Sequence, residues 1–507
     1  MNIKNIKTYI LSGILALSMS SCLDKYPEDS IRMDEAINTV GDMDKLVYGI
    51  YDSFKSSALY SGNLTILPDL QADFVYCVKG YSNAYGDIYR WKDIKATNTD
   101  IEAVYADLYG VINTANFLLD NVDKVKANTN SDKELDKLEQ CEGEAYFARA
   151  LAYSELIKCF CKAYDSDEQA AKELGVVLTE HYYGNEPQKR ASLKESYDFV
   201  LRDLDKAAEY LKVDEDFTGT LYDEIYFNEY ACHALRARVS LYMHRWDDAI
   251  KYASKVINSK YYVLASCTQK IGNTSYYQYQ WTAGKSTEGI WKVGFTVNSY
   301  GGALGTIFDN FNYVSYRPDY VPETWVINSF DSNDLRAAAI FTTRTTGYEH
   351  GLQWPLLSKY FGDAEFLNNN ILHVHQPMVF RLSEQYLIRA EAYAMKEEYG
   401  KAGKDISTLR TARYSSYGGN TSMSDESSAM KIIEAERVKE LYMEGFRLND
   451  LKRWHKGFER KAADQPAANF VQSSLKVEKD DPLFVWPIPQ HELEAPGSEI
   501  QPNESNK

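Results

Sequence analysis

Several groups of residues in this chain have types and spacings suited to chemistry. Glu436, Glu440 and Glu444 recur every fourth residue in ERVKELYMEGFRLNDLKRWHKG, so on a helix they share one face. Carboxylates placed that way suit a metal or an acid/base pair. Like charges at that spacing repel unless cations intervene, and Arg437, Lys439, Arg447, Lys452 and Arg453 stand close by. Ala435, Val438, Tyr442 and Gly445 form the opposite apolar stripe. The pattern therefore predicts a structural charge network that locks a helix to its neighbours. His373 and His375 alternate along the strand-like ILHVHQ (371–376), but no third ligand stands at a recognisable metal spacing. Asp331, Asn333 and Asp334 lack the glycine and terminal glutamate of a calcium loop and read as a capped helix start. Gly301, Gly302 and Gly305 lack the strand–turn–helix setting of a nucleotide loop, and the chain has no Gly-x-Ser-x-Gly or His-Glu-x-x-His motif. No catalytic residue, metal or cofactor is expected.

Aromatic residues supply the positive signal. The chain has 40 Tyr, 20 Phe and 8 Trp. Many of the tyrosines fall on helical stripes and belong to the core. Others lie among Gly, Asn, Ser and Gln, where no core period exists: Tyr76, Tyr81, Tyr85, Tyr89 and Trp91, then Tyr276, Tyr277, Tyr279 and Trp281, then Tyr300, Tyr313, Tyr316 and Tyr320. A flat ring stacks on the C–H face of a sugar, and neighbouring amides and phenols bond its hydroxyls. The candidate ligand-binding residues are Tyr81, Asn83, Tyr85, Tyr276, Tyr277, Tyr279, Trp281 and Tyr300. Trp281→Ala and Tyr277→Ala are expected to weaken binding without unfolding the chain.

Helical periodicity dominates the elements that must position these rings. Tyr197, Leu201, Leu204, Ala208 and Leu211 make one apolar stripe, and Tyr146, Ala150, Tyr153, Ile157 and Phe160 another. Residues 228–258 read as helix, tight turn near His244–Trp246, and second helix. Small residues (Ala231, Ala234, Ala237, Ala249, Ala253) let the two approach, and large ones (Leu241, Tyr242, Trp246, Tyr252, Ile257) fill between them, as in a tetratricopeptide repeat. Residues 380–413 repeat the pattern. A third pair joins 138–164 to 194–212 around the insert 165–193. The expected fold is mainly α: helix pairs over about 101–258 and 380–458 support a loop-rich, irregular half over about 60–100 and 259–380. That half contains short strand-like pieces such as GIWKVGF (289–295). A proline-rich strap, 460–507, carries the apolar run LFVWPIPQHEL.

The N-terminus reads as a secretory leader over 1–21. Lys4 and Lys7 precede a short apolar run, and small residues precede Cys22. That order resembles a bacterial lipobox, with Met19 in place of the usual Leu, and makes Cys22 the expected lipid anchor on a polar spacer, 22–34. Net charge is −17, which disfavours nucleic acid and anionic lipid and weakly disfavours sulfated or uronate-rich polysaccharide. The six cysteines after Cys22 contain no Cys-x-x-Cys pair, and their spacing leaves buried thiols and disulfides both open.

Four stretches carry a family resemblance: SCLDKYP at the anchor, RLSEQYLIRAEAY (381–393), ERVKELYMEGFRLNDLKRW (436–454) and WPIPQHEL (486–493). Together they resemble the SusD/RagB family of Bacteroidetes outer-membrane lipoproteins. The resemblance implies a single domain over 35–507, with tetratricopeptide-like helix pairs beneath an irregular binding half. It implies a lipid-anchored protein on the extracellular side of the outer membrane that partners a SusC-like TonB-dependent transporter. The implied ligand is an oligosaccharide on an aromatic arc, or a peptide in some members. The shared motifs are scaffold, so the resemblance places binding residues only by region: after residue 74 and between 266 and 320. The chain ends in IQPNESNK, where the family pattern has a QNPGY-like ending.

Overall fold

The computed structural model of the protein describes residues 36–507 except 93, 183–187, 214–220, 222–224, 349–350 and 463–464. The leader, Cys22 and the spacer lie outside the described residues.

Ten helices carry the scaffold: α1 (Val40–Ser53), α2 (Thr99–Ala127), α3 (Asp132–Phe160), α4 (Leu193–Tyr210), α5 (Glu229–Tyr242), α6 (Trp246–Ile257), α7 (Tyr276–Thr282), α8 (Leu382–Met395), α9 (Tyr399–Arg413) and α10 (Glu426–Glu440). Side chains that satisfy the first free N–H groups mark several starts. Thr39 and Ser192 form capping boxes before α1 and α4, and Asn228 accepts from the N–H groups of Tyr230 and Ala231. The turns between paired helices take left-handed backbone, with φ of 57° at His244 and 61° at Glu397. α3 packs against both α2 and α4. α5 packs on α6, α6 on α8, and α8 on both α9 and α10, so the helix pairs stack in chain order. The alanines predicted to allow close approach, Ala231, Ala234, Ala237, Ala249 and Ala253, are fully buried. The fold is mainly α, as expected.

Among the described residues, strands occur only as short antiparallel pairs. They include β1 (Val75–Cys77), β2 (Gly289–Lys292), β3 (Tyr320–Pro322), β4 (Phe341–Thr345), β5 (Gln353–Leu357) and β6 (Met378–Arg381). β1 pairs with β3, β2 with β6 and β4 with β5. The predicted strand-like stretch 371–376 is irregular instead, because φ of 65° at His373 breaks the alternation. Its two histidines point into the protein. His373 Nε2 accepts from the Phe311 N–H at 3.0 Å, and His375 Nδ1 lies 2.5 Å from Asp363 Oδ1. Cys77, Cys141, Cys159, Cys161, Cys232 and Cys267 are buried free thiols.

The glutamate ladder is the largest correction. α10 ends at Glu440, and left-handed backbone at Met443 and Gly445 carries Glu444 into a turn, so the three glutamates do not share one helix face. They are structural, as expected, but their ion-pair partners come from other elements and not from the cations next to them in the sequence. Glu436 meets Arg336 at 2.7 Å and Arg410 at 2.8 Å. Glu440 meets Arg336 at 3.0 Å, Arg381 at 2.9 Å and Arg413 at 2.8 Å. Glu444 meets Arg381 at 2.7 Å and Lys359 at 2.5 Å. Arg437 and Arg447 bind Asp450 and Asp73 instead. Burial alone would raise the Glu440 carboxyl; Arg413, Arg381 and Arg336 outweigh it and hold it well below the usual carboxylate range.

The strap closes the helical stack. Phe484, Val485, Trp486 and Ile488 are buried. Trp486 donates its backbone N–H to the Cys159 carbonyl at 2.9 Å and its indole N–H to Gln71 at 2.8 Å. Asn503 then donates to the carbonyls of Phe160 and Trp486, which fastens the last residues to the end of α3.

Candidate functional site

Pairing of β1 with β3 builds the most promising surface. Val75, Tyr76 and Cys77 lie opposite Pro322, Val321 and Tyr320, so the loop that leaves β1 runs beside the loop that enters β3. Asp319 joins the two loops, accepting from the Ser82 N–H at 2.6 Å and the Ser82 hydroxyl at 2.7 Å. The Tyr320 hydroxyl donates to the Ala84 carbonyl at 2.6 Å. A third segment joins where Tyr316 bridges Thr346, just past β4.

In the first loop, Asn83 and Tyr85 take left-handed backbone, with φ of 70° and 55°. The Tyr81 ring stands edge-on to Tyr320 at 5.8 Å. Its hydroxyl is 2.8 Å from Asn83 Oδ1 and accepts from Arg90 at 2.7 Å, and Arg90 is itself paired with Asp87 at 2.9 Å. This network fixes the Tyr81 ring while Asn83 remains exposed. In the second loop, Phe311 and Tyr316 stack at 4.5 Å, with Phe361 6.0 and 6.2 Å away. Asn312 Oδ1 accepts from the N–H groups of Val314 and Ser315, a turn that pushes Tyr313 outward. Tyr313 is 59% exposed. The Arg344 guanidinium lies 5.2 Å over the Tyr316 ring and 5.8 Å over Phe361. The result is a ledge of rings held from behind, edged by amides, hydroxyls and guanidinium groups.

The predicted site residues separate. Tyr81 and Asn83 belong to the ledge, whereas Tyr85 is half-buried and packs against the core. Tyr300 is 44% exposed but lines a different cleft, of about 810 Å³, between the end of α1 and the middle of α2, with Lys55, Ser56, Asp107 and Thr114. Gly301 and Gly302 allow this: a Cβ on either would lie 2.3 Å from the Lys55 carbonyl or 2.6 Å from that of Ser61. Tyr276 and Tyr279 are half-buried. Tyr277 and Trp281 are sealed in the interior and cannot stack on a ligand. The sequence SYYQYQW is not a loop: Ser275 caps α7, whose inward face carries Tyr277, Gln280 and Trp281. Arg413 sits 4.5 Å over Tyr277, and Lys359 sits 3.9 Å over Trp281, so both rings back the buried charge network. Tyr76, Tyr89, Trp91 and Tyr320, set apart from the core in the sequence, are also buried. Among the described residues, no ring contact or hydrogen bond joins Tyr81, Asn83 or Tyr85 to Tyr276–Trp281 or Tyr300. Sequence reading missed Phe311, Phe361 and Arg344. The run NFNYVSYR held the only signal, an aromatic spacing among asparagines.

No group of three or more His, Cys, Asp and Glu side chains among the described residues is arranged to hold a metal ion, and no described helix is long and apolar enough to cross a membrane.

Two family models match this chain. One, described as the SusD family, covers residues 343–503; the other, described as starch-binding associating with outer membrane, covers residues 22–241. The chain belongs to the SusD/RagB family. It is 20% identical to a SusD-like protein of Formosa agariphila over 90% of each chain. A SusD superfamily protein from Bacteroides thetaiotaomicron shares the fold with a TM-score of 0.75 and 23% identity, over 92% of this chain and 99% of the other. A SusD-like carbohydrate binding protein from Bacteroides vulgatus gives 0.72 and 19%, over 90% and 97%.

Proposed function

We propose that this protein binds oligosaccharide at the cell surface and passes it to a SusC-like TonB-dependent transporter, without catalysing a reaction on it. The carrying observation is the ledge. Tyr313 stands open to solvent on the loop that Asp319 ties to the Tyr81–Asn83 loop, the Phe311–Tyr316 stack backs it, and hydrogen bonds fix the Tyr81 ring. Pre-set rings lose little freedom on binding, and their hydroxyls and neighbouring amides select among sugars. In this reading the anchor at Cys22 holds the protein to the outer membrane, facing outward. Concentration beside the transporter then offsets weak binding.

Calorimetry of the full chain against an oligosaccharide panel tests the reading. Tyr313→Ala is expected to weaken binding by about fivefold, the equivalent of about 1 kcal/mol for a stacked ring. Tyr300→Ala measures whether the second cleft contributes. Binding of extended peptides with no oligosaccharide bound would replace the glycan reading with peptide capture. Co-purification with the transporter, retained after Tyr313→Ala, tests delivery separately from binding.

A further inference from the structure

The charge partners of the arginines distinguish the ledge from the rest of the molecule. Every other described arginine has a carboxylate or carbonyl partner. Arg317 and Arg344 have neither among the described residues. Each lies instead against a ring: Arg344 over Tyr316 and Phe361 of the ledge, and Arg317 at 5.8 Å over Tyr348, in the segment that follows β4. A guanidinium lying on a ring keeps its in-plane N–H edge free, and that edge matches a carboxylate or sulfate.

Two acids lie nearby, and among the described residues neither forms an ion pair with Arg317 or Arg344. Asp319 is turned to Ser82. Asp309 is buried, its Oδ2 has no hydrogen-bond partner, and its backbone carbonyl, not its carboxyl, meets Arg317, accepting from the backbone N–H at 3.1 Å. Burial pushes the Asp309 carboxyl up to about 8 against the opposing pull of Arg344, so at neutral pH it is largely an uncharged acid. Local positive charge thus survives on a chain whose net charge is −17.

We infer that the ledge takes an anionic oligosaccharide, with Arg344 gripping a carboxylate or sulfate ester on a sugar whose ring stacks beside it and Arg317 offering a second cationic contact. This inference rests on the glycan reading above and narrows its ligand class. The overall negative charge would repel such a ligand at long range, so recognition depends on these two cations at contact distance.

Matched ligand pairs test it on the full chain by calorimetry: oligogalacturonides against their carboxyl-reduced forms, and sulfated galactan oligosaccharides against desulfated ones. At least one anionic member should bind roughly tenfold tighter than its neutral partner, the scale of one charged hydrogen-bonded contact, and the pair that shows the difference identifies the anion. Arg344→Gln should erase the difference, Arg344→Lys should restore part of it, and the exposed Arg317→Gln should reduce it. Added salt should narrow it. Neutral members bound as tightly as anionic ones, or an anionic preference untouched by both Gln variants, overturns the inference and leaves the glycan reading intact. Failure of every oligosaccharide, neutral or anionic, overturns both.

Discussion

At the scale of single residues, burial separates rings that the sequence presents alike. Trp281 is sealed beneath Lys359 and Tyr313 is open to solvent. Trp281→Ala is expected to cost about 3–5 kcal/mol, as for other large aromatic truncations in a core, and urea unfolding would read it. Tyr313→Ala should leave the same midpoint unchanged. The sequence showed where rings cluster but not which way they face. α7 spans only Tyr276–Thr282, too short for its inward spacing to stand out from the polar residues around it. Asp309 and Glu323 add a pH effect. Burial pushes both carboxyls up to about 8, far above their unfolded values, so the folded state holds protons that the unfolded chain has released. Their contribution is complete below about pH 4 and is lost as pH rises toward 8. Asp309→Asn should therefore flatten the decline in melting temperature between pH 5 and 8.

Elements were the most legible level. The paired helices, the turn at His244 and the second pair over 380–413 all follow from spacing, because a helix periodically repeats its buried face along the chain. The charge network within them was legible only in kind. Glutamates every fourth residue announce a need for cations, but Arg336, Arg381 and Arg413 arrive from other elements, and sequence proximity pointed to the wrong arginines. The site was less legible still, because it depends on β1 meeting β3 across 245 residues. Removing one member of the network leaves its partners buried and unpaired. Glu440→Gln is thus expected to destabilise by about 3–5 kcal/mol, with a denaturant midpoint as the readout. The depressed Glu440 carboxyl has the opposite pH sign to Asp309. Its contribution is full above the ordinary carboxylate range and disappears as pH falls toward its folded value. The two effects thus act at opposite ends of the pH scale, Glu440 against acid and Asp309 and Glu323 against alkali.

Over the whole molecule, the last residues hold the first half together. Deleting 483–507 would uncover the surface that Phe484, Trp486 and Ile488 bury, each worth about 1.5–3 kcal/mol, and would strand the Gln71 side chain and the Cys159 carbonyl. The truncated chain is expected to lose its cooperative thermal transition in calorimetry. The same contact sets an order of events during synthesis. Gln71 leaves the ribosome 415 residues before Trp486, so the helical stack has no lid until the polypeptide is nearly finished.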